Sequence, residues 1–147
     1  MFLLALTTAI AGIFFGAALY VSLVEHPARV SCGTRAAVQE FRPSYRRGAA
    51  MQGTLSAVGC MLGLAAAWQL HDVHVGINAV LLGLPVPVTL LFIASTNRRL
   101  LDPNADAAGP EAGRLLARWG RLHWIRTILG GLAFPLLLFR LVVNAVT

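Results

Sequence analysis

Trp119, His123 and Arg126 stand at i, i+4 and i+7, a spacing that puts all three on one face of a continuous helix. That face presents an aromatic plane, a ring that titrates near neutral pH and a cation that keeps its charge. Glu25, His26, Tyr45, Gln52, Thr96 and Asn97 are further polar side chains at the matching ends of the apolar segments or just outside them. An imidazole can remove a proton, a guanidinium or amide can hold the anion that results, and an aromatic ring can stack on a flat ligand. Two imidazoles on facing helices at one depth also suit an iron centre, with His26 and His123 as the ligands. Taken singly, each residue also reads as an interfacial aromatic or a snorkelling head group. Their gathering at one depth of four segments favours a shared site.

A second cluster, His71-Asp72-x-His74, pairs two imidazoles with an acid. Nothing else nearby supplies further metal ligands, so the active site is not placed there. No phosphate-cradling glycine loop, no Cys-x-x-Cys pair and no dinucleotide fingerprint occurs.

These residues need elements to position them, and the composition indicates which. The 147 residues are 57% hydrophobic and 12% charged, with a mean hydropathy of +0.71. That excludes a disordered or nucleic-acid-binding protein. Residues 1–24, 48–70 and 75–97 carry no charge, and residues 127–147 carry only Arg140. Each stretch reaches the roughly 20 residues needed to cross about 30 Å of hydrocarbon. The first lacks the basic start of a signal peptide and stays apolar too long for one, so it reads as a retained helix.

The expectation is a single all-α domain, residues 1–147, forming an integral membrane antiparallel four-helix bundle with spans at about 2–24, 48–69, 75–96 and 123–145. All twelve basic residues are arginine, and the formal charge is +6. Arg29, Arg35, Arg42, Arg46 and Arg47 lie between spans one and two, and Arg98, Arg99, Arg114, Arg118, Arg121 and Arg126 between spans three and four or at the start of span four. Both connections are therefore expected in the cytoplasm of a bacterial-type inner membrane, with both termini and the 69–74 turn outside. Arg140 is expected to snorkel at the outer interface.

The segment Arg29 to Arg47 is expected to form a short interfacial helix with Val30, Ala37, Phe41 and Tyr45 facing bilayer or bundle. Pro110-Glu111 reads as the start of a helix running into span four. Pro85 and Pro87 predict a kink in span three, with Pro85, Thr89, Phe92 and Thr96 on one face. Beside the small residues Gly12, Gly16, Ser56, Gly59 and Gly63, that kink leaves room for a cavity or is plain packing. His26 falls near the Gly12 face, although Pro27 disfavours a helical conformation there. Cys32 and Cys60 are expected to be far apart, reduced and unpaired.

Several motifs together resemble a known family. They are Gly16 to Tyr20 followed by His26-Pro27, Tyr45-Arg46-Arg47-Gly48-Ala49, Pro87-x-Thr89 with Thr96-Asn97-x-x-Leu100, and Trp119-x-x-Leu122-His123-x-x-Arg126. The pattern resembles the small four-span membrane proteins that include the anthrone oxygenases. That resemblance implies oxidation of an anthrone to an anthraquinone by molecular oxygen, without flavin or haem. On such a substrate His26 or His123 would take the methylene proton, and Arg126 and Asn97 would stabilise the oxyanion. Trp119 and Tyr45 would stack on the rings, with Gln52, Thr89 and Thr96 also lining the site. The expected partners are a lipophilic small molecule, oxygen and membrane lipids, with no nucleic acid; a homo-oligomer through Gly12-x-x-x-Gly16 stays open.

Two other functions fit the same residues. One is a haem- or metal-binding redox protein built on His26 and His123; the other is a non-catalytic subunit whose polar cluster binds a lipid head group or a partner. A Soret band would favour the first of these, and altered lipid co-purification on mutation the second.

Overall fold

The computed structural model describes residues 1–146, which form four helical rods, Phe2–Ser31, Thr34–Leu70, Val73–Leu101 and Pro110–Val146. Each is long and apolar enough to cross a membrane. The chain is an all-α integral membrane bundle. The rods comprise α1 (Phe2–Tyr20), α2 (His26–Ser31), α3 (Thr34–Leu70), α4 (Val73–Gly83), α5 (Pro85–Val88), α6 (Ala94–Leu101) and α7 (Pro110–Val146). Two wide π turns, Val21–Glu25 and Thr89–Ile93, lie within the first and third rods.

Tight turns force neighbouring rods antiparallel. Gly33 adopts φ 90°, a conformation that suits glycine, between the first and second rods. His71 ends α3 in the left-handed region, and Asp72 caps α4 by accepting from the His74 N–H at 3.0 Å and the Val75 N–H at 3.4 Å. The third and fourth rods are joined by the longer loop 102–109, and Pro110 opens α7 with Glu111 in its first turn, as the sequence predicts.

A 37-residue helix is about 55 Å long, well beyond the hydrocarbon thickness. The excess over the expected spans falls almost wholly at the arginine-rich end. The first connection is thus not a separate interfacial helix: residues 34–47 are the opening turns of α3, which passes Pro43 unbroken. The reason is packing, since Ala37, Val38 and Phe41 bury against Ala112, Leu115, Leu116 and Trp119 of α7, and tertiary burial outweighs the missing donor of one proline. Val30 stays exposed. Both arginine-rich segments lie at one end, because Arg42 donates to the Leu100 carbonyl at 3.3 Å and the Asp102 carbonyl at 2.6 Å.

Two apolar cores divide the bundle. One is the cluster at the arginine-rich end; the other unites Leu4, Ala11, Phe14, Ala66, Val75, Leu82, Ala133 and Leu137. Gly59 and Gly63 face spans one and three, and Ser56 donates to the Leu82 carbonyl at 2.7 Å, so this small-residue stripe works inside the bundle. Phe2, Trp68, Leu91 and Phe139 are among the large apolar side chains left exposed around it, which suits lipid and not water. Cys32 and Cys60 are free.

The Thr89–Ile93 turn changes the face predicted for span three. A π turn inserts one extra residue and advances the helical phase. Ile93 is consequently 2% exposed, whereas Phe92 points outward at 57%. In span one the corresponding turn carries His26 through in helical conformation, φ −67° and ψ −45°, despite Pro27. Gly12 and His26 still face the same neighbour, the fourth span, through Phe134 and Gly120 respectively.

Candidate active site

Between the two apolar cores lies a polar layer centred on Arg126. The guanidinium is 6% exposed. Its Nη2 donates to Gln52 Oε1 at 2.9 Å, its Nη1 makes a longer contact to Thr89 Oγ1 at 3.4 Å, and its Nε has no hydrogen-bond partner. Among the described residues no carboxylate pairs with it. Burying a cation without a counter-charge is costly, so the layer is electrostatically prepared for a negative charge.

Tyr45 and Asn97 form the next part. The Asn97 amide donates to Tyr45 Oη at 2.6 Å, and Asn97 Oδ1 is buried without a partner. Phe41 stacks on Tyr45 with ring centroids 5.3 Å apart. Because the Asn97 bond uses a lone pair on the phenol, the phenolic hydrogen is left for another acceptor.

Trp119 is enclosed. Its ring meets His26 at 5.1 Å, the edge of Phe41 at 5.1 Å and His123 at 4.8 Å, the last pair stacked as the i, i+4 spacing predicts. At 5% exposure it is a wall, with little surface left to serve as the stacking platform expected from sequence. His123 Nδ1 lies 3.0 Å from Ser22 Oγ, Ser22 Oγ lies 2.8 Å from Thr127 Oγ1, and Thr127 donates to the Ala18 carbonyl at 3.2 Å.

A cavity of about 450 Å³ opens on this layer, lined by Tyr20, Tyr45, Gln52, Trp119, His123 and Arg126, with Glu25, Arg29 and Arg47 at its arginine-rich side. That volume falls in the ordinary range for small-molecule sites, roughly 300–1,000 Å³. An adjoining space of about 210 Å³ shares Tyr45 and Arg126 and reaches Thr89. A larger cavity, about 550 Å³, lies beside the 102–109 loop among charges of both signs. It touches none of the polar-layer residues and is set aside as loop surface.

The structure therefore brings Tyr45, Gln52, Trp119, His123 and Arg126 to one cavity and attaches Thr89 and Asn97 by hydrogen bonds. His26 lies outside that cavity, although its ring meets Trp119 and it shares a smaller space with Ser22, Trp119 and His123. It packs against Gly120, where an added Cβ would sit 2.5 Å from the His26 Nε2, and it borders two smaller spaces of about 240 and 230 Å³. Thr96 is 1% exposed with an unpartnered hydroxyl and does not border the main cavity.

Three residues escaped sequence reasoning. Ser22 and Thr127 carry no motif that singles them out, and Arg29 reads in the sequence only as an orientation charge. Arg29 is in fact 6% exposed, ion-paired with Glu25 and Glu40, bonded to Ser44 Oγ at 2.9 Å, and placed over Phe41 and Trp119. Its spacing from Glu25, i to i+4, was the available signal. Among the described residues no three His, Cys, Asp or Glu side chains gather where a metal could be held. At the far end Asp72 is engaged by Arg140 and Asn144, so Arg140 closes an ion pair instead of reaching free to the interface.

This layer sets a titratable ring and a buried cation beside an aromatic wall, groups able to take a proton and hold an anion. A model of the anthrone oxygenase family matches residues 41–136. The chain belongs to the anthrone oxygenase family. Anthrone oxygenase tpcL of Aspergillus fumigatus is 30% identical over 142 residues, covering 89% of this chain and 85% of that protein. No solved structure matches the chain. In this anthrone oxygenase family member the matched stretch includes Tyr45, Gln52, Thr89, Asn97, Trp119, His123 and Arg126, while Ser22, His26 and Arg29 precede it.

Proposed function

We propose that this protein is a membrane-embedded oxygenase that converts a lipophilic phenolic, anthrone-type polycycle to a quinone with molecular oxygen, using no flavin, haem or metal. The observation that carries the reading is the buried Arg126, whose guanidinium meets an amide and a hydroxyl and, among the described residues, no carboxylate. A site kept positive in its resting state stabilises an anion formed during reaction more than the neutral substrate before it.

The methylene of an anthrone is acidic because its carbanion delocalises over two aryl rings onto the ketone oxygen. His123 takes that proton; the C–H bond breaks and the electron pair moves to the oxygen, which Arg126 and the Tyr45 hydroxyl hold. Asn97 orients Tyr45, and Gln52 and Thr89 orient Arg126. Oxygen adds at the former methylene carbon, the peroxide takes back a proton, and loss of one water leaves the second carbonyl. One oxygen molecule is consumed for each quinone and water formed. His123 is preferred to His26 as base because it borders the main cavity and His26 does not.

The substrate partitions into lipid and enters sideways, a route supported by the cavity's border of Ala17, Tyr20, Gly48 and Met51 between the first two spans. The arginine-rich end faces the cytoplasm of a bacterial-type inner membrane, with both termini outside, as the placement of every arginine but Arg140 supports.

The test is oxygen uptake and quinone formation by detergent-purified, colourless protein given an anthrone. Arg126→Met is expected to lose about 100–1,000-fold in kcat while remaining monodisperse. Undiminished quinone formation by that variant, or a Soret band in the active protein, overturns the reading.

A further inference from the structure

We infer that Ser22 and Thr127 form a hydroxyl relay that holds neutral His123 with its proton on Nδ1, leaving the Nε2 lone pair as the base; this rests on the oxygenase reading above. The direction follows from counting hydrogens. Each hydroxyl has one proton to donate. Thr127 Oγ1 lies 3.2 Å from the Ala18 carbonyl, which can only accept, so the Thr127 proton points there. Ser22 must then donate to Thr127 across 2.8 Å, and with its proton spent it can only accept from His123 Nδ1 across 3.0 Å. The reverse direction would leave the Thr127 and Ala18 oxygens facing each other with no proton between them. Three bonds form one way and two the other.

The relay is built from three places in the fold. Ser22 belongs to the π turn Val21–Glu25, and Ala18 lies just before it in α1, while His123 and Thr127 are one turn apart on α7. Ser22 is 9% exposed and Thr127 2%, so water cannot readily replace either hydroxyl. A wide turn of this kind places one residue out of the regular phase, and such turns recur at functional sites. In water the neutral imidazole favours a proton on Nε2, the tautomer that has no lone pair to offer there. The relay reverses that preference, and among the described residues the hydrogen bond to the His123 ring is made at Nδ1, which leaves Nε2 for the substrate. When the base acts, the substrate C–H bond breaks, an Nε2–H bond forms, and the imidazolium charge is shared through Nδ1–H with Ser22. Ser22 and Thr127 touch no substrate and are positioning residues.

Nitrogen-15 spectra of histidine-labelled full-length protein in detergent test this, with His123 assigned by loss of its signals in His123→Gln. The expected wild-type pattern is a protonated Nδ1 and an unprotonated Nε2 at a pH where the ring is neutral. Ser22→Ala and Thr127→Val should each move His123 toward the Nε2–H pattern and lower kcat about 10–100-fold with KM within about twofold. Thr127→Ser, which keeps the hydroxyl, should retain the wild-type nitrogen shifts. An Nε2–H pattern in the wild type, or unchanged shifts in both hydroxyl-deleted variants, overturns the relay. Full activity in His123→Gln overturns the base assignment on which it rests, whatever the spectra show, so the two failures are told apart.

Discussion

Arg126 Nη2 donates to Gln52 Oε1 at 2.9 Å, joining the fourth span to the second through a residue that is itself 3% exposed. A neutral amide in that position lets the guanidinium keep its full field, which a carboxylate would cancel.

Gln52→Glu supplies the missing counter-charge with almost no change in shape. It should leave the fold intact while lowering kcat about 100-fold, because the anion formed in the reaction would then meet a neutralised pair. Gln52→Leu leaves Arg126 under-bonded and should reduce both activity and thermal stability, the latter by about 1–3 kcal/mol. Steady-state kinetics and melting curves in the same detergent separate the two effects.

Tyr45→Phe removes the hydroxyl that Asn97 bonds at 2.6 Å. Activity should fall about 10–100-fold with little change in KM, since the phenol acts on developing charge. Asn97→Ala should be milder, because Tyr45 keeps its proton and loses only its orientation. Equal loss in both variants would show that Asn97 itself contacts the reacting oxygen.

The histidines should behave differently. His123→Gln is expected to lower kcat at least about 100-fold, whereas His26→Gln, outside the main cavity, should stay within about tenfold of wild type. Gly120→Ala brings a Cβ to 2.5 Å from the His26 Nε2 and should destabilise by about 1–3 kcal/mol through overpacking. Loss of quinone formation in His26→Gln alone would reassign the base.

Asp72 predicts a pH dependence of stability. Burial pushes its carboxyl up, but hydrogen bonds from Arg140, Asn144 and the Val75 N–H outweigh this and hold it below the usual carboxylate value. A carboxyl depressed in the folded state stabilises the fold above its unfolded pKa of about 3.9, and that contribution is lost as pH falls through the folded value. Melting temperature should therefore hold its Asp72 contribution from neutral pH down to about pH 4 and lose it below. Asp72→Asn should lower stability by about 1–2 kcal/mol at neutral pH and remove that acid-side component. An unchanged acid limb in the variant would show that other carboxyls carry it.

Much of the bundle was legible because it depends on local sums. Runs with at most one charge decide which segments enter hydrocarbon, and their lengths of 21 to 24 residues left little room for another arrangement. Helical periodicity likewise placed Trp119, His123 and Arg126 on one face, as they are found. The 69–74 turn between spans two and three was legible in the same way, and His71 and Asp72 form it.

What the sequence by itself determined was therefore the set of spans, the end of the bundle where polar groups gather and the face of α7 they occupy. Only the tertiary structure decided which groups meet, because that depends on the rotation and offset of one helix against another. A single inserted residue in each π turn sends Ile93 inward in place of Phe92 and accompanies Ser22's contact with His123. Packing of α3 on α7 buries Arg29, and contact with Gly120 keeps His26 outside the main cavity. Ser22 and Thr127 are 105 residues apart, and no local periodicity connects residues on helices that meet only when the bundle closes.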